Sequence, residues 1–236
     1  MIGQPRLYEP ECESTQELLF GRDLPEGAVA VTDHQTAGRG RLGRAWVEAP
    51  GTAVLCSVLL RPPAERPAPQ LSLVAGVATA LAVEDATGLA AQIKWPNDVM
   101  LDRQKVAGVL AEMRDVEVVI GIGVNVNQTR EQLPADARVT AASLRTVTGR
   151  EHDRESLLGS LLAHLDEGYA RWLERGLDGV YDDLGSRDFL RGRRIAIDGV
   201  AATGVMIDRE GRLVVDVRDE RRAVASGEID LVAESH

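Results

Sequence analysis

The chain has 236 residues, a formal net charge of −10, 44% hydrophobic residues and 3% aromatic ones. Its length suits one substantial domain plus a small one, with Val, Leu and Ala filling a well-buried core. Its acidity argues against generic DNA binding and against anionic membranes, and its two cysteines, Cys12 and Cys56, are too few for a disulfide scaffold.

The N-terminus, MIGQPRLYEPEC, has no basic patch followed by an apolar run, and residues 71–83 are too short to span a bilayer, so the cytoplasm is the expected location. Ser14 and Glu17 fit a capping box, which predicts a helix running to about Gly21. Residues 27–32 form a short β-rich run, with Gln35 at its end and His34 as a surface neighbour rather than a catalyst.

Residues 38–46, GRGRLGRAW, set Arg39, Arg41 and Arg44 among Gly38, Gly40 and Gly43 with no acid between them. Such a loop suits an anion, because glycine allows close backbone approach and guanidinium matches carboxylate and phosphate oxygens in pairs. GRGRLG also satisfies G-x-G-x-x-G. A dinucleotide turn must open into a helix, however, and here Arg44-Ala45-Trp46-Val47 runs into Ala49-Pro50-Gly51. A kinase would need HRD and DFG strings, and neither occurs. Mutually repelling arginines on glycine hinges predict a loop that is mobile until a ligand orders it.

Residues 52–61 read as a near-continuous apolar strand, ended by the Pro62–Pro69 loop. Residues 71–86 read as a helix packing one face on the sheet. Strands follow at 92–95, 99–101, 105–113 and 116–126, with Pro96 holding Asn97 and Asp98 at a bend suited to a nucleotide or its Mg²⁺. Lys94 and Lys105, in KWPNDVMLDRQKVAG, are the chain's two lysines among 27 basic residues. A compact ammonium that reorients among phosphate oxygens has been kept there. Gly108, Gly121 and Gly123 mark close approach to the sheet, and Asn125 follows on the same face by period two. Residues 136–148 read as a loop with a short helix, 153–175 as a long helix burying Trp172, and 179–185 as a short one. From Arg191 short β-runs at 194–198, 201–207, 213–217 and 228–232 imply a small barrel.

Taken in order, Glu13-Ser14-Thr15, Gln35, GRGRLGRAW, KWPNDV, DRQKVAGVLAE and GIGVNVN resemble the motifs of a bacterial biotin protein ligase, in the short form without an N-terminal DNA-binding domain. The resemblance covers roughly the first 130 residues and implies an α+β fold. It would have a mixed, largely antiparallel sheet packed with helices, of the class II synthetase-like kind, over residues 1–187, and an SH3-like β-barrel over 188–236. It implies that ATP activates biotin to biotinyl-5'-AMP, and that the biotinyl group passes to a lysine of a carboxylase's biotin carboxyl carrier domain. In that family Ser14, Thr15, Gln16 and Gln35 would hold the head of biotin, with Gly38, Arg39, Gly40, Gly108 and Gly123 around it. Lys105 would bridge the biotin carboxylate and the α-phosphate, with Arg41 on the same oxygens. Arg44, Lys94, Asn97 and Asp98 would face the triphosphate, Asp98 anchoring Mg²⁺, while Trp46 and Asn125 seat the adenosine. Lys105, Arg41, Lys94 and Asp98 are the expected catalytic set. Ser226-Gly227-Glu228 would lie near the nucleotide. The carrier domain is the expected partner, DNA and membrane are not, and the chain is expected as a monomer or weak homodimer. A lipoate or octanoyl ligase of the same fold should carry RRxxGGG, which is absent, and a non-catalytic biotin-binding or carrier-binding module would not need Lys94, Asp98 and Lys105.

Overall fold

A computed structural model describes residues 1–135, 140–218 and 220–232. Seven strands build the main sheet: β1 (Arg6–Cys12), β2 (Val29–Gln35), β3 (Ala53–Leu60), β4 (Ala91–Lys94), β5 (Asp98–Leu101), β6 (Gln104–Arg114) and β7 (Glu117–Asn125). Their order is β1-β2-β3-β7-β6-β5-β4, with β1 parallel to β2 and every other pair antiparallel. All eight residues of β3 are buried, because both faces of the sheet are covered there. Val118, Ile120, Ile122 and Val124 of β7 join the large apolar core, so by alternation Val119, Gly121, Gly123 and Asn125 take the other face. β1 was not legible in sequence. RLYEPEC is mostly exposed and charged, as an edge strand tolerates.

The helix expected at 71–86 is α1 (Leu71–Thr87), which ends at Gly88 with φ 73°. It is buried nearly all round rather than on one face, since it lies between the sheet and the long helix. Its alanine-rich sequence keeps it thin enough for that place. After the short α2 (Leu144–Thr148), the long helix is α3 (Arg154–Arg175), opened by Asp153, whose carboxylate accepts from Ser156 N at 2.6 Å. Trp172 is fully buried, with Nε1 donating to Gln70 Oε1 at 2.9 Å. A 3₁₀ turn over Gly176–Gly179 and then α4 (Tyr181–Ser186) lead out of it. Of the loop expected over 136–148, residues 136–139 lie outside the described residues.

The helix expected from Ser14 to Gly21 is absent. That stretch is a run of turns, with Glu17 N bonded to Ser14 O and both Leu19 N and Phe20 N bonded to Gln16 O. The box fails because Glu17 does not reach back to the cap: its carboxylate goes to Arg39 and Arg114 instead.

A second, five-stranded antiparallel sheet is consistent with an SH3-like domain. It comprises β8 (Arg194–Ile197), β9 (Val200–Ile207), β10 (Leu213–Val217), β11 (Glu220–Val224) and β12 (Ile229–Leu231), in the order β11-β10-β9-β8-β12. β11, ERRAV, escaped the sequence reading because it is a charged, exposed edge. Ile195, Ile207, Leu213, Val215 and Ile229 belong to the same apolar core as α1 and the main sheet. The two sheets are therefore welded together, with Asp188 at the seam accepting from Leu190 N and Ile207 N. Among the described residues no helix is long and apolar enough to cross a membrane.

Candidate active site

The main sheet's face opposite α1 floors a cavity of about 220 Å³. The turns after β1 close one end, the 38–46 loop roofs it, the β4–β5 turn closes the other end, and Gly227, Glu228 and Ile229 of the second sheet complete the wall. Every site residue expected from sequence lines it except Gly38 and Ser226. A Cβ on Gly38 would fall 2.6 Å from Trp46 O, so the loop's own stem requires a glycine here.

Ser14, Thr15 and Gln16 are buried at the first end. Gln35 Oε1 accepts from Thr15 N at 2.9 Å, and Thr15 Oγ1 lies 2.7 Å from Ser57 Oγ. With its oxygen engaged, Gln35 has its amide N–H groups left for a ligand. Gln16 Nε2 donates to Leu110 O and Val119 O at 3.2 and 3.3 Å, so this side chain caps the cavity, in the room Gly121 leaves for it. Ser57, the polar residue inside the apolar run of β3, was a visible but unread signal.

The loop is a small hairpin. Arg39 bridges Ala45, Trp46 N donates to Gly38 O at 2.9 Å, Gly40 N donates to Arg44 O at 2.7 Å, and Leu42 at the tip has φ 58°. Each of its arginines has a partner outside the loop, although Arg44 still repels Arg41. Arg39 Nη2 bonds Glu17 Oε1 at 2.7 Å, Arg41 Nη1 lies 3.5 Å from Asn97 Oδ1, and Arg44 pairs with Glu228. The Trp46 indole lies over the sheet, and a Cβ on Gly123 would fall 2.6 Å from its Cε2, one on Gly108 3.2 Å from its Cζ3. The space these two glycines leave is thus filled by Trp46.

At the far end Lys105 Nζ meets Asp98 Oδ1 at 2.6 Å. A bulge makes this possible. Val99 pairs with Ala107 but Met100 with Lys105, so the register skips Val106 and brings Lys105 round to the side of Gly108, whose added Cβ would lie 3.5 Å from Lys105 Nζ. Lys94 is buried, with Nζ donating to Ile229 O at 3.0 Å. Burial pushes its ammonium below the usual lysine range; Asp98 opposes the shift, and Lys105 and Arg44 add to it. Burial likewise lowers Arg41. Asn97 locks the β4–β5 turn to β6, its N–H₂ donating to Val109 O at 2.8 Å. Asn125 lines the cavity and is also tied into the fold. Its amide donates to Ala142 O at 3.1 Å and accepts from Gln128 at 3.0 Å, which fixes its orientation and leaves one N–H and one lone pair.

The model of the biotin/lipoate A/B protein ligase family matches residues 9–127. The chain belongs to that family. The bifunctional ligase/repressor BirA of Bacillus subtilis is 33% identical over 247 residues, covering 98% of this chain and 75% of that protein. The biotin–[acetyl-CoA-carboxylase] ligase of Mycobacterium tuberculosis is 34% identical over 224 residues, covering 89% and 80%. Among solved structures, the biotin protein ligase from Aquifex aeolicus in complex with biotin and ATP superposes with a TM-score of 0.88 at 30% identity, covering 98% of this chain and all of that one.

Family motifs did not disclose every residue that shapes this ligase cavity. Glu17 and Glu112, which hold Arg39, sit outside the motifs that carried the resemblance or at their edge. Trp95, whose Nε1 donates to Gly211 O at 3.0 Å, ties the KWPND turn to the second sheet.

Proposed function

We propose that the chain is an ATP-dependent biotin protein ligase that makes biotinyl-5'-AMP and passes the biotinyl group to a lysine of a carboxylase's biotin carboxyl carrier domain. One observation carries the reading: a single cavity places buried hydroxyl and amide groups at one end and Arg41, Lys94 and Lys105 at the other. The first end suits a neutral, hydrogen-bonding ring; the second suits two anions brought together.

In the first step a biotin carboxylate oxygen bonds to the α-phosphorus as the bond to pyrophosphate breaks. In the second the carrier lysine's amine bonds to the acyl carbon, AMP leaves and the amine loses a proton. Negative charge governs both steps, so fixed cations in a dry site stabilise the transition states more than an acid–base pair would. Lys105 turns from Asp98 to the carboxylate and α-phosphate, with Arg41 on the same oxygens. Lys94, disfavoured as a cation by burial, is favoured by an arriving phosphate. Arg44 and Asn97 meet the rest of the triphosphate, Arg39 and Gly40 roof the adenylate, and Ser14, Thr15 and Gln35 hold the ureido ring. Trp46 and Asn125 help seat the adenosine, Asn125 from an amide held in place by Ala142 and Gln128.

Among the described residues no group of three or more His, Cys, Asp or Glu gathers to cage a metal. Mg²⁺ needs one or two carboxylates when phosphates and water supply the remaining oxygens. Asp98, among the cations, fits an ion that arrives with the nucleotide, with the Asn97 carbonyl beside it. Such an ion would neutralise phosphate charge. Residues 1–187 form the catalytic unit in this reading and 188–236 the SH3-like domain, with the cytoplasm as the place of work.

Biotin-dependent ATP–pyrophosphate exchange tests the proposal. Exchange that requires biotin is expected; no exchange, or exchange driven by lipoate in its place, overturns it.

A further inference from the structure

We propose that Glu17 is a positioning residue that acts through Arg39 to keep the lid closed, and so determines how long the activated ligand is retained. The consequence for retention rests on the ligase reading; the closure of the lid does not. Glu17 is not part of the cavity wall, and its side chain is 41% exposed. Its Oε1 accepts from Arg39 Nη2 at 2.7 Å and from Arg114 Nη2 at 2.6 Å, and its Oε2 accepts from Arg114 Nη1 at 3.1 Å. Two parallel bonds from one guanidinium fix a carboxylate in orientation as well as in place.

Arg114 is itself braced, its guanidinium carbon lying 4.0 Å from the centre of the Phe20 ring. Phe20 is buried in a small apolar cluster with Leu19, Ala28, Ala30, Leu59 and Val119. The carboxylate that meets the lid is therefore held from behind by packed core. Glu112 Oε2, 3.3 Å from the same Arg39 Nη2, adds a second acid on that side. Arg114, with Arg39 assisting, holds the Glu17 carboxyl below the usual glutamate range, so the clamp is charged at neutral pH.

Glu17 and Glu112 both sit on Nη2 of Arg39, and among the described residues the neighbouring Nε is buried without a hydrogen-bond partner. An N–H in that state is costly unless a ligand accepts from it. Because Arg39 also bridges Ala45 across the hairpin stem, fixing its side chain fixes the stem. Glu17 thus neutralises one lid arginine and ties the hairpin stem to the turns after β1.

The test uses the full chain with Glu17→Gln, and Glu112→Gln as a second, milder variant. In the ligand-free chain trypsin should cut at Arg41 several-fold faster in Glu17→Gln than in the native protein. After loading with radiolabelled biotin and ATP and removing free ligand, adenylate should escape roughly three- to five-fold faster, the scale of a partly exposed ion-pair network. The midpoint of thermal unfolding and the single-turnover rate at saturating substrate should stay near native, which a merely structural role would not predict. Added salt should raise the native escape rate more steeply than that of Glu17→Gln, narrowing the gap between them. Equal trypsin cleavage, or equal adenylate retention with the same salt slope, overturns the proposal. A native chain that forms no adenylate overturns the ligase reading alone, since the trypsin comparison needs no substrate.

Discussion

Substituting Gly123 by alanine should disable the lid without touching a charged group. A Cβ there would lie 2.6 Å from both Cε2 and Cζ2 of Trp46 and 3.1 Å from Cδ2, and real Cβ atoms essentially never approach closer than 3.0 Å. The neighbour is the middle of a rigid bicyclic ring, so the indole must lift. Trp46 N also donates to Gly38 O, and lifting the ring pulls on the stem of the hairpin. Overpacking of this kind costs about 1–3 kcal/mol. Borne by the closed lid, that corresponds to a roughly 5- to 150-fold loss in biotin affinity. Gly108→Ala is the internal control: its Cβ would meet the ring edge at 3.2 Å, where a few tenths of an ångström of movement suffice, so its loss should be smaller. Isothermal titration with biotin would be run on the native chain, Gly123→Ala, Trp46→Leu and the double variant. The clash disappears when the ring does, so the cycle should return a coupling of about 1–3 kcal/mol. Native affinity in Gly123→Ala, or strictly additive losses in the double variant, would refute the reasoning.

Lys105→Ala should cost about 3 kcal/mol or more in adenylation, as loss of a fixed charge at the reacting group does; near-native pyrophosphate exchange would remove Lys105 from that role. Burial pushes the Cys56 thiol up to about 12, from an ordinary value of 9.0. Because the folded value is the higher one, the neutral thiol's contribution to stability is complete below about 9 and is lost as pH rises towards about 12. Native-state alkylation at mild alkaline pH should therefore modify the half-buried Cys12 and spare Cys56, and equal labelling of both would contradict this assignment. Trp95→Phe removes the Nε1 bond to Gly211 O and should lower unfolding free energy by about 1–3 kcal/mol, read by denaturant titration; an unchanged midpoint would show that the bond is not needed at the seam.

Much of this architecture was legible because the core obeys simple periods. The unbroken run in β3, the leucine spacing of α3 and the helix stop at Gly176 follow from patterning and capping. Gly108, Gly121 and Gly123 did announce close approach, although the approaching groups are Gln16 and Trp46, the protein's own side chains. β1 and β11 were hidden because charged edge strands lack an apolar signature. The false helix at Ser14 shows local capping chemistry overruled by a distant arginine, since Glu17 has a stronger partner in Arg114. Least visible was the side on which Lys105 emerges. Alternation in β6 would send Lys105 and Gly108 to opposite faces, and the register skip at Val106 reverses that. No local residue pattern in KVAGVLAE signals such a skip.

At the cationic end of the cavity the second module supplies two main-chain oxygens and one acid: Ile229 O receives the Lys94 ammonium, Gly211 O receives the Trp95 indole, and Glu228 pairs with Arg44. A carbonyl is common to all twenty residue types, so the first two contacts ask for contour rather than identity, and the third alone asks for a particular side chain. Elsewhere the module can be rewritten provided the two oxygens and this acid stay where they are. A transplanted or redesigned module should accordingly be judged by backbone superposition at the two oxygens and by an acid at position 228 before the rest of its composition is considered.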